Sequence, residues 1–194
     1  MKKFKYILFL LLAPLFSLTS CEESSEVGEF DNWEKRNVEY IDSIATVARA
    51  ATGGEWKVFL ADGLDPSKEW SNEVYVYCHV LEEGTGTKSP LYTDSVTINY
   101  QGRLMPTSKN PAGFLFDSSY EGELEPDFDV PVTMILSGTV TGFSTALQHM
   151  VSGDFWRIYI PATLGYGYSD FNGIPGGSVL VFDVNMVSFE SEGI

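Results

Sequence analysis

The sequence predicts an α+β fold, and three observations predict it. From residue 74 onward apolar residues recur mostly with period two, the signature of half-buried strands. One short stretch breaks that rhythm: Phe143, Ala146, Leu147 and Met150 stand at i, i+3, i+4 and i+7, the spacing of one helix face. A longer helical stripe precedes all the strands.

In chain order, Met1-Lys2-Lys3-Phe4-Lys5 is a basic segment, and Tyr6 to Phe16 is an apolar run interrupted by Pro14. The run is too short to span a bilayer well, and small or polar residues follow it, as in a signal peptide. Leu18-Thr19-Ser20-Cys21 then resembles a bacterial lipobox, in which the Cys thiol is acylated and becomes the first residue after cleavage. Residues 22–29 are polar and acidic and read as a tether.

Residues 31–51 read as a helix with an apolar stripe of Trp33, Val38, Ile41, Ile44, Ala45 and Ala48. Asp31 or Asn32 is placed to cap its start, and Gly53-Gly54 to end it. The stripe is expected to pack on the rest of the domain. Residues 55–73 hold an apolar patch, Trp56 with Val58, Phe59 and Leu60, followed by the loop signature Asp62-Gly63-Leu64-Asp65-Pro66-Ser67. Val74, Val76, Cys78 and Val80 alternate with Tyr75, Tyr77, His79 and Leu81, and Glu83-Gly84-Thr85-Gly86 turns the chain. Strands are expected at 94–104, 114–117, 130–136, 154–161 and 178–189, with the short helix at 143–150 closed by Gly153. Segments 105–113 and 120–129 read as loops. The second carries Glu121, Glu123, Glu125, Asp127 and Asp129 without the residue order of a calcium-binding loop, so it reads as a solvated acidic loop.

The net charge of −15 excludes nucleic acid as a partner, because phosphates would be repelled. It also excludes attachment to anionic lipid through a basic patch. Aromatic content of 14% favours a β-rich fold with an aromatic-lined cavity. With Cys21 acylated, Cys78 stands alone, so no intramolecular disulfide is expected, and its place in a strand predicts a buried thiol. His79 and His149 give no metal-ligand spacing, and neither a Ser/His/Asp signature nor a phosphate loop is present. No cofactor and no metal are expected.

Five ordered blocks carry a more specific message. They are Val96-Thr97-Ile98-Asn99-Tyr100-Gln101-Gly102, Phe116-Asp117-Ser118-Ser119, Thr139-Val140-Thr141-Gly142-Phe143, Tyr166-Gly167-Tyr168 with Gly173-Ile174-Pro175, and Leu180-Val181-Phe182-Asp183-Val184. In this order they resemble the FKBP-type peptidyl-prolyl cis/trans isomerases, over residues 74–190. The resemblance implies an antiparallel sheet of five to six strands wrapped around one short helix, with an N-terminal helical extension. It divides the chain into a lipoprotein signal peptide (1–20), an acidic tether with helical extension (21–73) and an isomerase domain (74–190).

The resemblance also implies roles. Tyr100, Phe116, Val140, Phe143, Ile174 and Phe182 would wall a proline pocket. Tyr166 would donate its hydroxyl to a peptide carbonyl, the Val140 N–H would hold another carbonyl, and Asp117 would sit at the rim. Clients would be proline-containing polypeptides, and a macrolide-type ligand would fit the pocket. The chain departs from the family in four places. Phe143 stands where Trp is common, no basic residue follows Ser119 closely, the Leu136–Gly142 segment is short, and Ile174-Pro175-Gly176 replaces Ile-Pro-Pro. The implied protein is a lipid-anchored foldase of the cell envelope, on the outer membrane and facing the periplasm or the surface. The alternative is a weakly active or inactive binding or chaperone module of an envelope assembly.

Anchoring through Cys21 is directly testable, since two or three acyl chains are what hold such a protein on a bilayer. Cys21→Ser is expected to yield soluble or unprocessed protein on fractionation; mutant of mature size in the membrane fraction would refute the lipobox reading.

Overall fold

A computed structural model describes residues 28–191. The segment expected to be a signal peptide, Cys21 and most of the expected acidic tether lie outside the described residues.

Helix α1 (Trp33–Ala50) forms on residues with one buried face: Trp33, Asn37, Ile41, Ala45 and Ala48. This differs from the expected stripe, because Asn37 is buried and Val38 is only half-buried. The reason is a hydrogen-bond requirement. Asn37 Oδ1 accepts the Val179 N–H at 2.8 Å, and its Nδ2 donates to the Trp33 carbonyl at 2.7 Å. The Trp33 indole N–H donates to Ser178 Oγ at 2.8 Å. Asn32 occupies the cap position in left-handed geometry (φ 51°) and makes no side-chain cap bond; the expected capping at this end is absent.

Seven strands build one antiparallel sheet: β1 (Trp56–Leu60), β2 (Tyr75–Glu82), β3 (Ser95–Leu104), β4 (Leu115–Ser118), β5 (Val132–Ile135), β6 (Phe155–Ile160) and β7 (Leu180–Glu190). Their order is β1-β2-β6-β7-β3-β4, with β5 pairing the first half of the same β3 edge that β4 pairs further along. The sequence pattern implied six strands; β1 is the seventh. All five of its residues are half-buried, so it shows neither alternation nor a continuous buried run. Its Trp56 stacks on His79 of β2, with ring centroids 4.8 Å apart.

Helix α2 (Thr141–Leu147) is shorter than expected. Tighter turns carry the chain on to Met150, and Gly153 (φ 94°) makes the later turn into β6. A Cβ on Gly142 would run into the Ile160 side chain, so a glycine is required for α2 to lie this close to β6.

Strand alternation sorts side chains into two interiors. Val76 and Cys78 of β2, Trp156 and Ile158 of β6, and Phe182 and Val184 of β7 join α2 on the inner face. Tyr77, Tyr159, Val179 and Val181 meet Ile41, Ala45 and Ala48 of α1 on the outer face. The helix of the N-terminal extension thus covers the back of the sheet. Cys78 is fully buried, and that burial pushes its thiol pKa well up.

Between the strands, Gly102 of β3 lies opposite Phe182 of β7. A Cβ there would come within 2.6 Å of the Phe182 ring and 2.7 Å of the Phe116 ring. The missing side chain is what lets these two rings meet edge to face, 5.5 Å apart.

Two substitutions test these constraints. Asn37→Leu strands the Val179 N–H and is expected to lower stability by about 1–3 kcal/mol in denaturant unfolding, while Lys35→Ala on the exposed face changes it by less than about 0.5 kcal/mol. Gly102→Ala forces overpacking and is expected to cost about 1–3 kcal/mol; an unchanged unfolding midpoint would show that the rings do not need the gap.

Candidate functional site

A cleft of about 330 Å³ opens on the inner face of the sheet, a volume in the range of small-molecule sites. Strands and helix each deliver a side chain to it: Tyr100 from β3, Asp117 from β4, Phe143 from α2 and Phe182 from β7. Val140 enters from the turn before α2, where its carbonyl accepts the Phe143 and Ser144 N–H groups. Tyr166 enters from the β6–β7 connection.

The floor is aromatic and dry. Phe143 and Phe182 are 4% and 6% exposed, so little water reaches their faces. Their rings meet at 4.9 Å and 64°, and Tyr100 stands 6.5 Å from Phe143 and 6.3 Å from Phe182. These tilted arrangements suit the ring quadrupoles.

Polar groups are confined to the rim. The Tyr100 hydroxyl donates to Asp117 Oδ2 at 2.7 Å, so the carboxylate has a phenol for a partner where the family often supplies a basic residue. Burial raises the Tyr100 pKa, and the bond to Asp117 raises it further. Burial also raises the Tyr166 pKa, with the Asp117 charge adding to it. Both phenols therefore remain protonated donors at neutral pH.

Six of the eight residues singled out in the sequence face the cleft: Tyr100, Asp117, Val140, Phe143, Tyr166 and Phe182. Phe116 and Ile174 do not. Phe116 stands behind Phe182 as its edge-to-face partner. Ile174 is buried in the inner core, with its backbone N–H and C=O both bonded to Phe171. The structure adds Phe171, which lines the cleft and stacks on Tyr166 with centroids 4.5 Å apart and planes at 16°. Met134, Gly138 and Thr139 complete the wall. The place of Phe171 depends on how Gly173 (φ 83°) folds the loop back on itself.

That loop is braced from outside. The Tyr168 hydroxyl donates to Glu73 Oε1 at 2.9 Å, and Thr163 donates to the Glu73 carbonyl. Asp170 accepts the Gly176 N–H at 2.8 Å. Burial, the Glu73 bond and the acidic neighbours push the Tyr168 pKa up to about 12.

Among the described residues no group of three His, Cys, Asp or Glu side chains is placed to hold a metal ion. The cleft thus offers an apolar floor, one free phenolic donor in Tyr166 and a Tyr100–Asp117 pair bonded to each other, an arrangement suited to holding an uncharged, ring-sized group with polar neighbours.

Comparison with known proteins agrees with this geometry. A family model for the FKBP-type peptidyl-prolyl cis-trans isomerase matches residues 86–187. The peptidyl-prolyl cis-trans isomerase Mip of Coxiella burnetii is 37% identical over 115 residues, covering 58% of this chain and 44% of that protein. FkpA of Escherichia coli strain K12, an FKBP-type isomerase by name, is 35% identical over 109 residues, covering 56% of this chain and 35% of that protein. The chain thus spans less than half the length of either relative. A crystal structure of a peptidyl-prolyl cis-trans isomerase from Pseudomonas syringae superposes with a TM-score of 0.56 at 25% identity, covering 81% of this chain and 96% of that one. The Escherichia coli FkpA structure, at 24% identity and TM-score 0.55, covers 84% of this chain and 64% of its own, and shares the fold. The family match takes in over half of the sequence and contains all six cleft-facing residues from Tyr100 to Phe182; the chain belongs to the FKBP-type peptidyl-prolyl cis-trans isomerase family.

Proposed function

We propose that the protein is a peptidyl-prolyl cis/trans isomerase acting on proline-containing polypeptides. The observation that carries this reading is the dry Phe143–Phe182 floor beneath the phenols of Tyr100 and Tyr166. Isomerisation breaks no bond. Its barrier of roughly 18–20 kcal/mol is the loss of amide resonance. The twisted amide separates less charge than the planar one, so an apolar cradle around the proline ring favours it.

In this reading the proline ring sits on Phe143 and Phe182. Tyr166 donates to a flanking carbonyl, and the Val140 N–H holds a second. Asp117, bonded to Tyr100, fixes that phenol at the rim. Phe116 and Ile174 act from behind, as supports for Phe182 and for the Phe171 turn. Residues 74–190 carry the cleft, while β1 and α1 supply an edge strand and the outer cover. A macrolide-type ligand would occupy the same floor.

The proposal includes export. A relative named outer membrane protein MIP, from Legionella longbeachae, is 32% identical over 110 residues. With the lipobox-like Leu18-Thr19-Ser20-Cys21, this supports an envelope protein acylated at Cys21, helping other exported chains to fold.

The test is an isomerisation assay on short X-Pro peptides with the purified protein. Acceleration is expected, with a preference for apolar X. Tyr166→Phe removes one hydroxyl and is expected to lower kcat/KM by about 2- to 12-fold, the equivalent of about 0.5–1.5 kcal/mol, with the unfolding midpoint little changed. A folded protein with no acceleration and no macrolide binding would favour the binding-module alternative.

A further inference from the structure

We propose that the outer face of the sheet carries a second ligand site, for a small monocarboxylate with an apolar body. A cavity of about 280 Å³ lies on the side opposite the proline cleft, against α1 and the 105–113 loop. Alternation makes it the reverse of the same strands: Phe182 faces the cleft, while its neighbours Val181 and Asp183 line the rear cavity. Arg103 of β3 stands opposite Val181.

A sheet face covered by a helix is ordinarily apolar, and the part beneath Ile41 and Ala45 is so. The cavity floor is not. Arg157 grips Asp183 with two bonds, Nε to Oδ1 at 2.6 Å and Nη2 to Oδ2 at 2.8 Å. Arg103 donates instead to neutral acceptors, the Gly113 carbonyl at 3.1 Å and Gln101 Oε1 at 3.3 Å, and among the described residues forms no ion pair. A guanidinium has five N–H groups, so Arg103 retains unused donors.

Two guanidiniums and one carboxylate leave the lining with one unbalanced positive charge, in a chain of net charge −15. Tyr40 and Tyr159 add two phenols whose ionisation burial opposes, so both remain donors. Donors outnumber acceptors, and one anionic charge restores balance. A carboxylate matches the planar fork of Arg103 in shape and charge. Pro106, Pro111 and Ala112 of the 105–113 loop add apolar lining, suited to a short hydrocarbon body. A free acid and a peptide C-terminus present the same carboxylate chemistry to this site.

The experiment is an NMR titration of the full chain with hexanoate, reading the arginine Nε–H and backbone signals, with hexan-1-ol as the uncharged control. A short peptide ending in leucine, as free acid and as amide, forms a second arm. Saturable hexanoate binding centred on Arg103 and Arg157 is expected, with hexan-1-ol weaker by about tenfold or more. Competition by the peptide acid but not its amide would assign the site to chain termini; hexanoate binding without it would assign it to free acids. Arg103→Met and, independently, the cavity-filling Ala112→Trp are each expected to weaken hexanoate by about tenfold while leaving isomerase activity intact. Absence of saturation at about tens of millimolar, equal binding of hexan-1-ol, or full hexanoate affinity in both variants would overturn the proposal.

Discussion

Strand β7 must serve two interiors at once, and most of the architecture depends on that division. It pairs with β3 along its whole length and with β6 over Leu180–Asn185. Its even-numbered residues Leu180, Phe182, Val184 and Met186 belong to the inner core, while Val181 and Asp183 face the other way. A shift of one residue in its pairing would exchange the two sets, placing Asp183 in the aromatic cleft and Phe182 beside Arg157. The register is held at the start and in the middle of the strand. At the start, α1 grips Val179 and Ser178 through Asn37 and Trp33. In the middle, Gly102 admits only a ring opposite it, and Asp183 is clamped by Arg157.

The cleft inherits its shape from this register. Phe182 is fixed by β7, Tyr100 by β3 and Phe143 by α2, so their rings meet without any of them resting on a flexible segment. The mobile-looking chemistry, Tyr166 and Phe171, comes from the β6–β7 connection, yet that connection is tied to Glu73 and continues into the Ser178–Trp33 contact. A helix on one face of the sheet is therefore joined, by hydrogen bonds, to the segment that lines the cleft on the other.

Much of this was legible in the sequence, and the exceptions share a cause. The period-two runs gave β2, β3, β6 and β7 because their two faces differ in chemistry at each step. The short helix was visible because four apolar residues fell on one side. The aromatic floor was visible through its ordered motif blocks. By contrast, β1 was hidden because all its residues are half-buried, leaving no alternation to detect. Asn37 was hidden because its burial answers a backbone N–H 142 residues away. Phe171 replaced Ile174 at the cleft wall because the turn between them reverses the chain. Each of these positions is decided by a partner distant in sequence or by a turn, neither of which local spacing encodes.

One buried atom gives the molecule an internal clock. The Cys78 thiol lies in β2, between β1 and β6, fully covered and held protonated by its surroundings. A thiol reagent meets it only when the inner core opens. It is the single cysteine among the described residues. Its rate of labelling then counts openings of the inner core, and the same seclusion keeps this thiol out of disulfide exchange while the protein is folded.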